Sequence, residues 1–178
     1  MAQKRVELLA QTFPNKTRLA VLWDAVSAEQ FTAVERTAKL LEMRLHSVKL
    51  ENLSDNFEVV FRTIVASDAQ MLLTLTSNRF LPNRLRIPEL AIRHRLPTMF
   101  GNKAYVESGG LMSYGVDPIL MWRRAAASVA KILRGAKPAD LPVEQPTNFE
   151  LVINLKTAKA IGIELPTSIL LRANEVIE

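Results

Sequence analysis

Short apolar runs alternate along most of the chain with stretches in which apolar positions recur at helical spacing. Such runs lie at 19–23 and 71–75, and further strands are predicted at 46–50 and 98–100. Continuous apolar runs of this kind are typical of strands buried on both faces, and helices between them require right-handed crossovers. The pattern therefore predicts an α/β fold: a three-layer α/β/α sandwich with a mostly parallel sheet.

The segments between these runs carry helix signals. Apolar positions at helical spacing predict helices at about 3–12, 27–43, 57–65 and 84–95. Ser27, followed by Gln30, has the spacing of a capping box. Ser54 or Asp55 is expected to cap the third of these helices.

A strand at 109–117, bounded by glycines, runs into a long helix at 120–134 that Gly135 ends. Prolines at 138, 142 and 146 then predict an extended crossing over 136–147. The pattern further predicts a strand at 149–155, a short helix at 156–161 and a final turn or helix at 166–176. The expected inner side of the long helix is Trp122, Ala126, Val129, Ala130 and Leu133.

Composition narrows the class of protein. The chain has 178 residues, a formal charge of +5 and no cysteine. This length suits about one domain, and the lack of cysteine excludes disulfides, thiolate metal sites and cysteine nucleophiles. No run approaches the roughly 18 apolar residues of a membrane span, and Met1 is followed by an amphipathic segment instead of a signal-peptide core. The sequence as written predicts a soluble chain without an export signal.

Motifs for catalysis or cofactor binding are not found. His46 and His94 lack a metal-ligand spacing and are expected to be ordinary surface or strand-edge residues. Ser113 lies near a Gly-x-Ser-x-Gly pattern, but the first glycine stands one position too early and no histidine follows. No glycine-rich phosphate loop occurs. The sequence predicts a protein that is not an enzyme and uses no cofactor or metal.

Arginines and His94 cluster on and before the helix at 84–95, which raises the question of a nucleic-acid surface. No aromatic stacking pattern or known reading motif accompanies them, and acidic residues are spread through the chain. A solvated helix face is the favoured interpretation, with no nucleic acid among the partners.

Small polar residues and glycines follow the predicted strands. Because the carboxyl ends of parallel strands converge on one crevice, these loops predict a pocket for a small polar ligand. The candidate ligand-binding residues are Trp23, Asp24, Ser77, Asn78, Gly101, Tyr114 and Asp117. Asp117 is suited to pair with a ligand ammonium, and Trp23 or Tyr114 to form an apolar wall. Core packing of the two aromatic residues and helix capping by Asp117 are the alternatives.

Several longer runs resemble a known family. Gly-Gly-Leu-Met-Ser-Tyr-Gly-Val-Asp (109–117), Arg-Arg-Ala-Ala (123–126) and the segments 131–147, 149–162 and 165–178 are similar to the C-terminal half of ABC-transporter substrate-binding proteins of the tryptophan/tyrosine-uptake type. The run Arg-Leu-Ala-Val-Leu-Trp (18–23) agrees more loosely, so the resemblance covers nearly the whole chain.

The resemblance implies one lobe of a type I periplasmic-binding fold, in a protein that binds a small solute for an ABC importer. An aromatic amino acid is the candidate solute. It also implies a ligand-binding lobe at 1–118, a helix and crossing ribbon at 119–147, and a terminal strand and helix at 148–178. The implied partners are an ABC permease and an N-terminal lobe, and the implied location is periplasmic or membrane-anchored outside the cytoplasm.

Without an N-terminal lobe, the apolar side of the helix at 120–134 needs other cover. We expect it to pack on this lobe in a rearranged way or on a second copy of the chain. The alternative function is a ligand-sensing effector domain of a regulator or signalling protein. That role would require a fused DNA-binding or signalling segment, which these residues do not contain.

Overall fold

The computed structural model describes residues 1–51, 56–142, 146 and 148–178. These residues form a sheet of seven strands, ordered β2-β1-β3-β4-β5-β6-β7, with helices on both faces. The strands are β1 (Arg18–Asp24), β2 (Arg44–Leu50), β3 (Met71–Thr74), β4 (Thr98–Phe100), β5 (Met112–Val116), β6 (Phe149–Asn154) and β7 (Glu175–Ile177). The helices are α1 (Ala2–Thr12), α2 (Ala28–Leu40), α3 (Phe57–Ala66), α4 (Arg86–Arg93), α5 (Lys103–Glu107), α6 (Pro118–Leu133), α7 (Leu155–Ile161) and α8 (Thr167–Leu170).

The sheet is mostly parallel, which confirms the predicted fold class. Strands β1 to β5 pair in parallel with their neighbours. Strand β6 is antiparallel to β5, and β7 is parallel to β6. The reversal arises because the chain leaves the sheet after β5, runs out along α6 and re-enters at β6 beside the point where it left.

Two apolar layers hold the sandwich together. One face of the sheet packs against α1, α2, α7 and α8 through residues such as Leu9, Val34 and Ile161. The other face packs against α3, α4 and α5 through residues such as Phe61, Leu90 and Tyr105. Central strands β1, β3 and β4 are apolar on both faces because each is covered on both sides, as expected in a parallel sheet.

Local capping differs from the predicted pattern near the end of β1. Ser27 does not pair with Gln30. Its hydroxyl accepts a hydrogen bond from the Asp24 backbone N–H, and its own N–H donates to the Asp24 carboxylate, each at 3.0 Å. This reciprocal pair forms a capping box one turn earlier, around the 3₁₀ turn at 25–27. Gln30 is thereby free to contact another strand end.

Two other boundaries follow from side-chain hydrogen bonds. The predicted caps Ser54 and Asp55 lie outside the described residues, and Asn56 caps α3 by accepting a hydrogen bond from the Glu58 N–H at 2.9 Å. Strand β2 begins at Arg44, two residues before the predicted start, so His46 lies within the strand and does not open it. The Arg44 N–H donates to the Thr17 carbonyl at 2.8 Å, which extends the ladder along β1.

The end of the chain is a strand where a turn or helix was predicted. Helix α8 stops at Leu170, and residues 175–177 pair with β6. Asn174 sets this pairing, because its N–H donates to the Leu151 carbonyl at 2.8 Å and its side chain accepts from the Leu151 N–H at 2.9 Å. The C-terminal residues therefore pair with the open edge of β6. This pairing depends on the tertiary structure and cannot be predicted from the local spacing of apolar residues.

The predicted packing of α6 on this lobe is wrong. The helix has the expected length, with Asp117 as its cap and Pro118 in its first turn. None of residues 119–133 is buried, and the expected inner side faces solvent. Trp122 is 73% exposed, Val129 54% and Leu133 82%. Near the start of the helix, Met121 and Arg124 line one crevice together with Pro146 of the return segment.

The ends of β4 and β5 approach so closely that only glycine fits. A Cβ added to Gly115 would lie 2.0 Å from the Gly101 carbonyl oxygen. We expect Gly115→Ala to lower the free energy of unfolding by about 3 kcal/mol, at the upper end of overpacking costs, because two backbones would have to separate. Urea denaturation measures the change.

Gly162→Ala is the matched control for this prediction. Gly162 has a φ of 73° and no neighbouring atom within 4 Å of an added Cβ, so its substitution carries only a conformational cost of about 1–2 kcal/mol. A loss at Gly115 no larger than the loss at Gly162 would contradict the steric explanation.

Candidate ligand-binding site

A shallow pocket opens at the carboxyl ends of β3 and β4, the edge of the sheet at which the sequence predicts a site. Its lining includes the predicted residues Ser77, Asn78 and Gly101, together with Thr74, Asn102 and Tyr105. The pocket holds about 40 Å³, far below the roughly 300–1,000 Å³ of sites that enclose a drug-sized ligand. It is therefore large enough for a functional group of a ligand, and a further surface is needed to enclose a whole one.

Asp24 lies directly beside this pocket as a buried anchor. Its carboxylate accepts a hydrogen bond from the Ser77 hydroxyl at 2.7 Å and from the Ser27 hydroxyl at 2.9 Å, and Arg79 approaches it to 3.9 Å. Burial opposes ionisation of the carboxyl, but the hydrogen bonds from Ser77 and Ser27, aided by Arg79, outweigh it and lower the pKa of Asp24. Asp24 thus fixes the loop after β3 and has no exposed surface of its own to offer a ligand.

Arg5 connects the ends of β3 and β5 from the opposite face of the sheet. This α1 side chain is 2% exposed, and it donates to the Tyr114 carbonyl at 2.7 Å and to the Thr76 hydroxyl at 3.1 Å. Burial lowers the pKa of the Arg5 guanidinium to about 10, against the opposing effect of Tyr114, and the group stays charged at neutral pH. Sequence reasoning missed Arg5, although a charge among the apolar positions Val6, Leu8 and Leu9 is a readable signal.

Gln30 completes the support of the loop after β3. Its side-chain amide donates to the Thr76 carbonyl at 2.8 Å, and its side-chain oxygen accepts from the Thr76 N–H at 3.2 Å. Both backbone groups of Thr76 are therefore satisfied by one side chain from α2. The loop that carries Ser77 and Asn78 is held on both sides by buried or half-buried polar contacts.

The two predicted aromatic residues lie on the other face of the sheet from the pocket. Trp23 stacks on Phe31 with ring centroids 4.3 Å apart, and its indole N–H donates to the Ser47 hydroxyl at 2.8 Å. Tyr114 packs beside Phe149, with centroids 5.9 Å apart. Both contact the apolar layer under α1 and α2. The structure brings neither ring to the pocket at the ends of β3 and β4, and a binding role for them stays a prediction.

Asp117 acts as a helix cap in this structure. Its carboxylate accepts a hydrogen bond from the Ile119 N–H at 2.8 Å at the start of α6. It also borders a small crevice shared with Leu120, Met121 and Asn148. A ligand-binding role for Asp117 stays a prediction.

The arginine-rich helix is paired with acidic residues. Arg86 contacts Glu58 and also Glu89, the latter at 2.7 Å, while Arg93 lies 2.9 Å from Glu58 and 3.0 Å from Glu89. This network spans α3 and α4 and neutralises much of the local charge. The arrangement is that of a solvated helix face, and the absence of a nucleic-acid partner remains a prediction.

Across the residues that the structure describes, no three His, Asp or Glu side chains converge as metal ligands. In the same residues no helix combines the length and the apolar character that crossing a bilayer requires.

Comparison with known proteins connects this site to a family. Residues 1–177 match the sequence model of the family described as ABC transporter substrate binding protein. The chain belongs to that family. A curated relative, the tyrosine-binding protein of Clostridioides difficile, is 22% identical in an alignment of length 173 that covers 90% of this chain and 47% of the relative. The chain thus spans about half the length of that relative.

Solved structures show the same fold. A conserved domain protein from Vibrio cholerae superposes with a TM-score of 0.88 at 24% identity, covering 98% of this chain and 60% of the other. An ABC domain in complex with L-Trp from Streptococcus pneumoniae gives a TM-score of 0.86 at 25% identity, covering 99% of this chain and 62% of the other. The family match confirms the resemblance, and these neighbours confirm a periplasmic-binding fold. In each, more than a third of the neighbour has no counterpart in this chain.

The Asp24 network predicts a stability that depends on pH. Because the pKa of Asp24 is lowered on folding, its carboxylate stabilises the fold above the usual value of 3.8 and loses this effect as the pH falls through the folded pKa. We expect Asp24→Asn to lower the free energy of unfolding by about 2 kcal/mol at neutral pH. The deficit should shrink in urea denaturation series run from about pH 7 to about pH 3.

Asp68→Asn is the control for this series. The Asp68 side chain is 81% exposed and pairs with Arg18 at 2.9 Å, so its removal should cost less than about 1 kcal/mol at any pH. Equal effects of the two substitutions would show that the buried Asp24 network does not stabilise the loop.

Proposed function

We propose that this chain is the second lobe of a substrate-binding protein that serves an ABC importer, and that its solute is an aromatic amino acid. The observation that carries the proposal is the uncharged polar pocket at the carboxyl ends of β3 and β4, in a chain that belongs to a solute-binding family along nearly its whole length. Pockets at this edge of a parallel sheet are the usual ligand sites of open α/β folds.

The relatives support the class of solute. One curated relative is a tyrosine-binding protein, and one structural neighbour at 25% identity was solved with L-Trp. Both ligands combine an aromatic ring with an α-carboxylate and an α-amino group. The rim of the pocket offers hydroxyl and amide groups for the polar end of such a molecule, and a second lobe would supply the remaining enclosure.

The division of the chain follows from this proposal. Residues 1–118 with 148–178 form the ligand-binding lobe, and 119–147 carry α6 and the crossing ribbon toward a first lobe. Two-lobed binders close around a solute by hinge motion, and the pocket here is too small to enclose one alone. An ABC permease would receive the closed protein, and such proteins work outside the cytoplasm. No step of this function requires chemistry on the solute.

A ligand-sensing domain of a regulator, the alternative, is less well supported. The family match is to transporter binding proteins and extends over residues 1–177. No observation on the described residues favours a sensing role over a transport role.

Solute binding is tested by titrating the ¹⁵N-labelled chain with L-tryptophan and L-tyrosine and following amide shifts. We expect weak, saturable shifts at residues 76–78 and 101–102, because this lobe supplies only part of the cleft. Asn78→Ala should weaken binding about 2- to 10-fold, the effect of one lost neutral hydrogen bond. Asn15→Ala, an exposed change in the loop that precedes β1, should leave the affinity unchanged.

Glycine and D-glucose serve as comparison ligands in the same titration. Shifts at these loops with either of them but not with the aromatic amino acids would overturn the proposed solute class. Shifts confined to other surfaces would overturn the proposed site.

The exposed face of α6 supports the proposed first lobe as its partner. Ile119, Trp122, Ala126, Val129 and Leu133 follow each other at alternating spacings of three and four residues, which places them on one stripe of the helix. Such a stripe is the packing face of a helix against another element. The neighbours that match this chain extend well beyond it, and the unmatched part is the cover that we propose.

The fluorescence of Trp122 tests whether another element covers the apolar stripe of α6. In a Trp23→Phe variant it is the sole tryptophan, since the chain has two. Being 73% exposed, it should be quenched by acrylamide almost as readily as free tryptophan, at every protein concentration. In the matched Trp122→Phe variant, the stacked and half-buried Trp23 should be protected. Protection of Trp122 that rises with protein concentration would instead assign the stripe to a second copy of the chain.

A further inference from the structure

The pocket contains a buried hydroxyl group that the fold leaves without a partner. Thr74, the last residue of β3, is 2% exposed, and its Oγ1 makes no hydrogen bond within the part of the chain described. Buried hydroxyls are nearly always paired, because an unpaired one loses its hydrogen bonds to water without replacement. An exception at a strand end that lines a pocket indicates a partner supplied from outside the chain.

The side chain of Thr74 is directed toward the pocket by the alternation of β3. Met71 and Leu73 enter the apolar layer under α1 and α2, whereas Leu72 enters the layer under α3, α4 and α5. Thr74 shares the face of Leu72, since successive side chains of a strand alternate. The pocket lies on that face, between the loop after β3 and Tyr105 of α5.

Tyr105 is a second lining residue that carries a hydroxyl. Its ring stacks on Phe100, with centroids 4.5 Å apart and planes within 5°, which fixes the plane of the ring. Burial raises the pKa of the Tyr105 phenol, against the opposing effect of Arg84, so the hydroxyl stays protonated and can donate. The pocket therefore offers two hydroxyl donors, from Thr74 and Tyr105.

The surrounding charges favour an anion over a cation. None of the described residues that line the pocket carries a charge. Arg84 is near enough to act on Tyr105, and Arg79 borders the adjoining loop. Among the described residues, the carboxylate that contacts the pocket loop is Asp24, and it is already engaged by Ser27, Ser77 and Arg79. Within this part of the chain, a cation would find no free carboxylate at the pocket, whereas an anion would meet hydroxyl donors and nearby arginines.

We propose that Thr74 and Tyr105 form the subsite that binds the carboxylate of the solute. A volume of about 40 Å³ suits one such group, whose oxygens would accept hydrogen bonds from the two hydroxyls. The assignment rests on the proposed function for the identity of the solute. It also makes a separate claim, that this pocket selects carboxylates of any origin.

The separate claim is tested first, with small probes and the intact chain. NMR titration with propionate should shift the Thr74 methyl and Tyr105 ring resonances, while n-propylamine, which carries the opposite charge, should not. An absence of propionate shifts at these two residues would overturn the subsite and leave the pocket as a water site only. Equal shifts with propylamine would overturn its selectivity for anions.

The second test measures the affinity of L-tryptophan for matched variants. Thr74→Val replaces the unpaired hydroxyl by a methyl group of similar shape and should not destabilise the fold. We expect it to weaken L-tryptophan binding about tenfold or more, the effect of one hydrogen bond to a charged group, and to leave tryptamine binding unchanged. Tyr105→Phe should act in the same direction.

Thr37→Val is the control, since Thr37 is a buried α2 residue whose hydroxyl donates to the Ala33 carbonyl at 2.9 Å, away from the pocket. Undiminished L-tryptophan binding to Thr74→Val would overturn the subsite and leave the proposed function standing. Propionate shifts at Thr74 without any binding of aromatic amino acids would have the opposite meaning: the subsite would stand and the proposed solute would not.

Discussion

The candidate site depends on one buried cation. The Arg5 guanidinium reaches from α1 to the Tyr114 carbonyl and the Thr76 hydroxyl, and so joins the ends of β3 and β5. No carboxylate among the described residues pairs with it. Its charge is satisfied by a carbonyl and a hydroxyl, a costly arrangement that persists only where the surrounding fold holds it in place. Beside it, Gly101 and Gly115 let the ends of β4 and β5 approach more closely than side chains would permit.

Most of the architecture could be predicted from the sequence because parallel sheets have a strong signature. Strands covered on both faces, such as 19–22 and 71–73, are continuously apolar, and the helices between them carry a regular stripe. The three-layer sandwich followed directly. The antiparallel entry of β6 and the capture of the tail by Asn174 could not be predicted, because both depend on which sheet edge is open once the rest has folded.

Only part of the candidate site could be predicted from the sequence, for a related reason. Loops after parallel strands identify the correct edge of the sheet, and Ser77, Asn78 and Gly101 do meet at one pocket. Sequence position does not reveal the face, however, and Trp23 and Tyr114 project to the opposite side. Thr74 was not predicted as a site residue, because a threonine at the end of an apolar strand is common. Its significance depends on the missing hydrogen-bond partner, which only the structure shows.

The pairing of β5 with β6 places the two ends of the segment that carries α6 side by side. The chain leaves the sheet just after Val116 and re-enters it at Phe149, and these two residues are direct partners in the ladder. Any element attached through residues 117–148 is therefore joined to this lobe by two adjacent strands at one edge of the sheet.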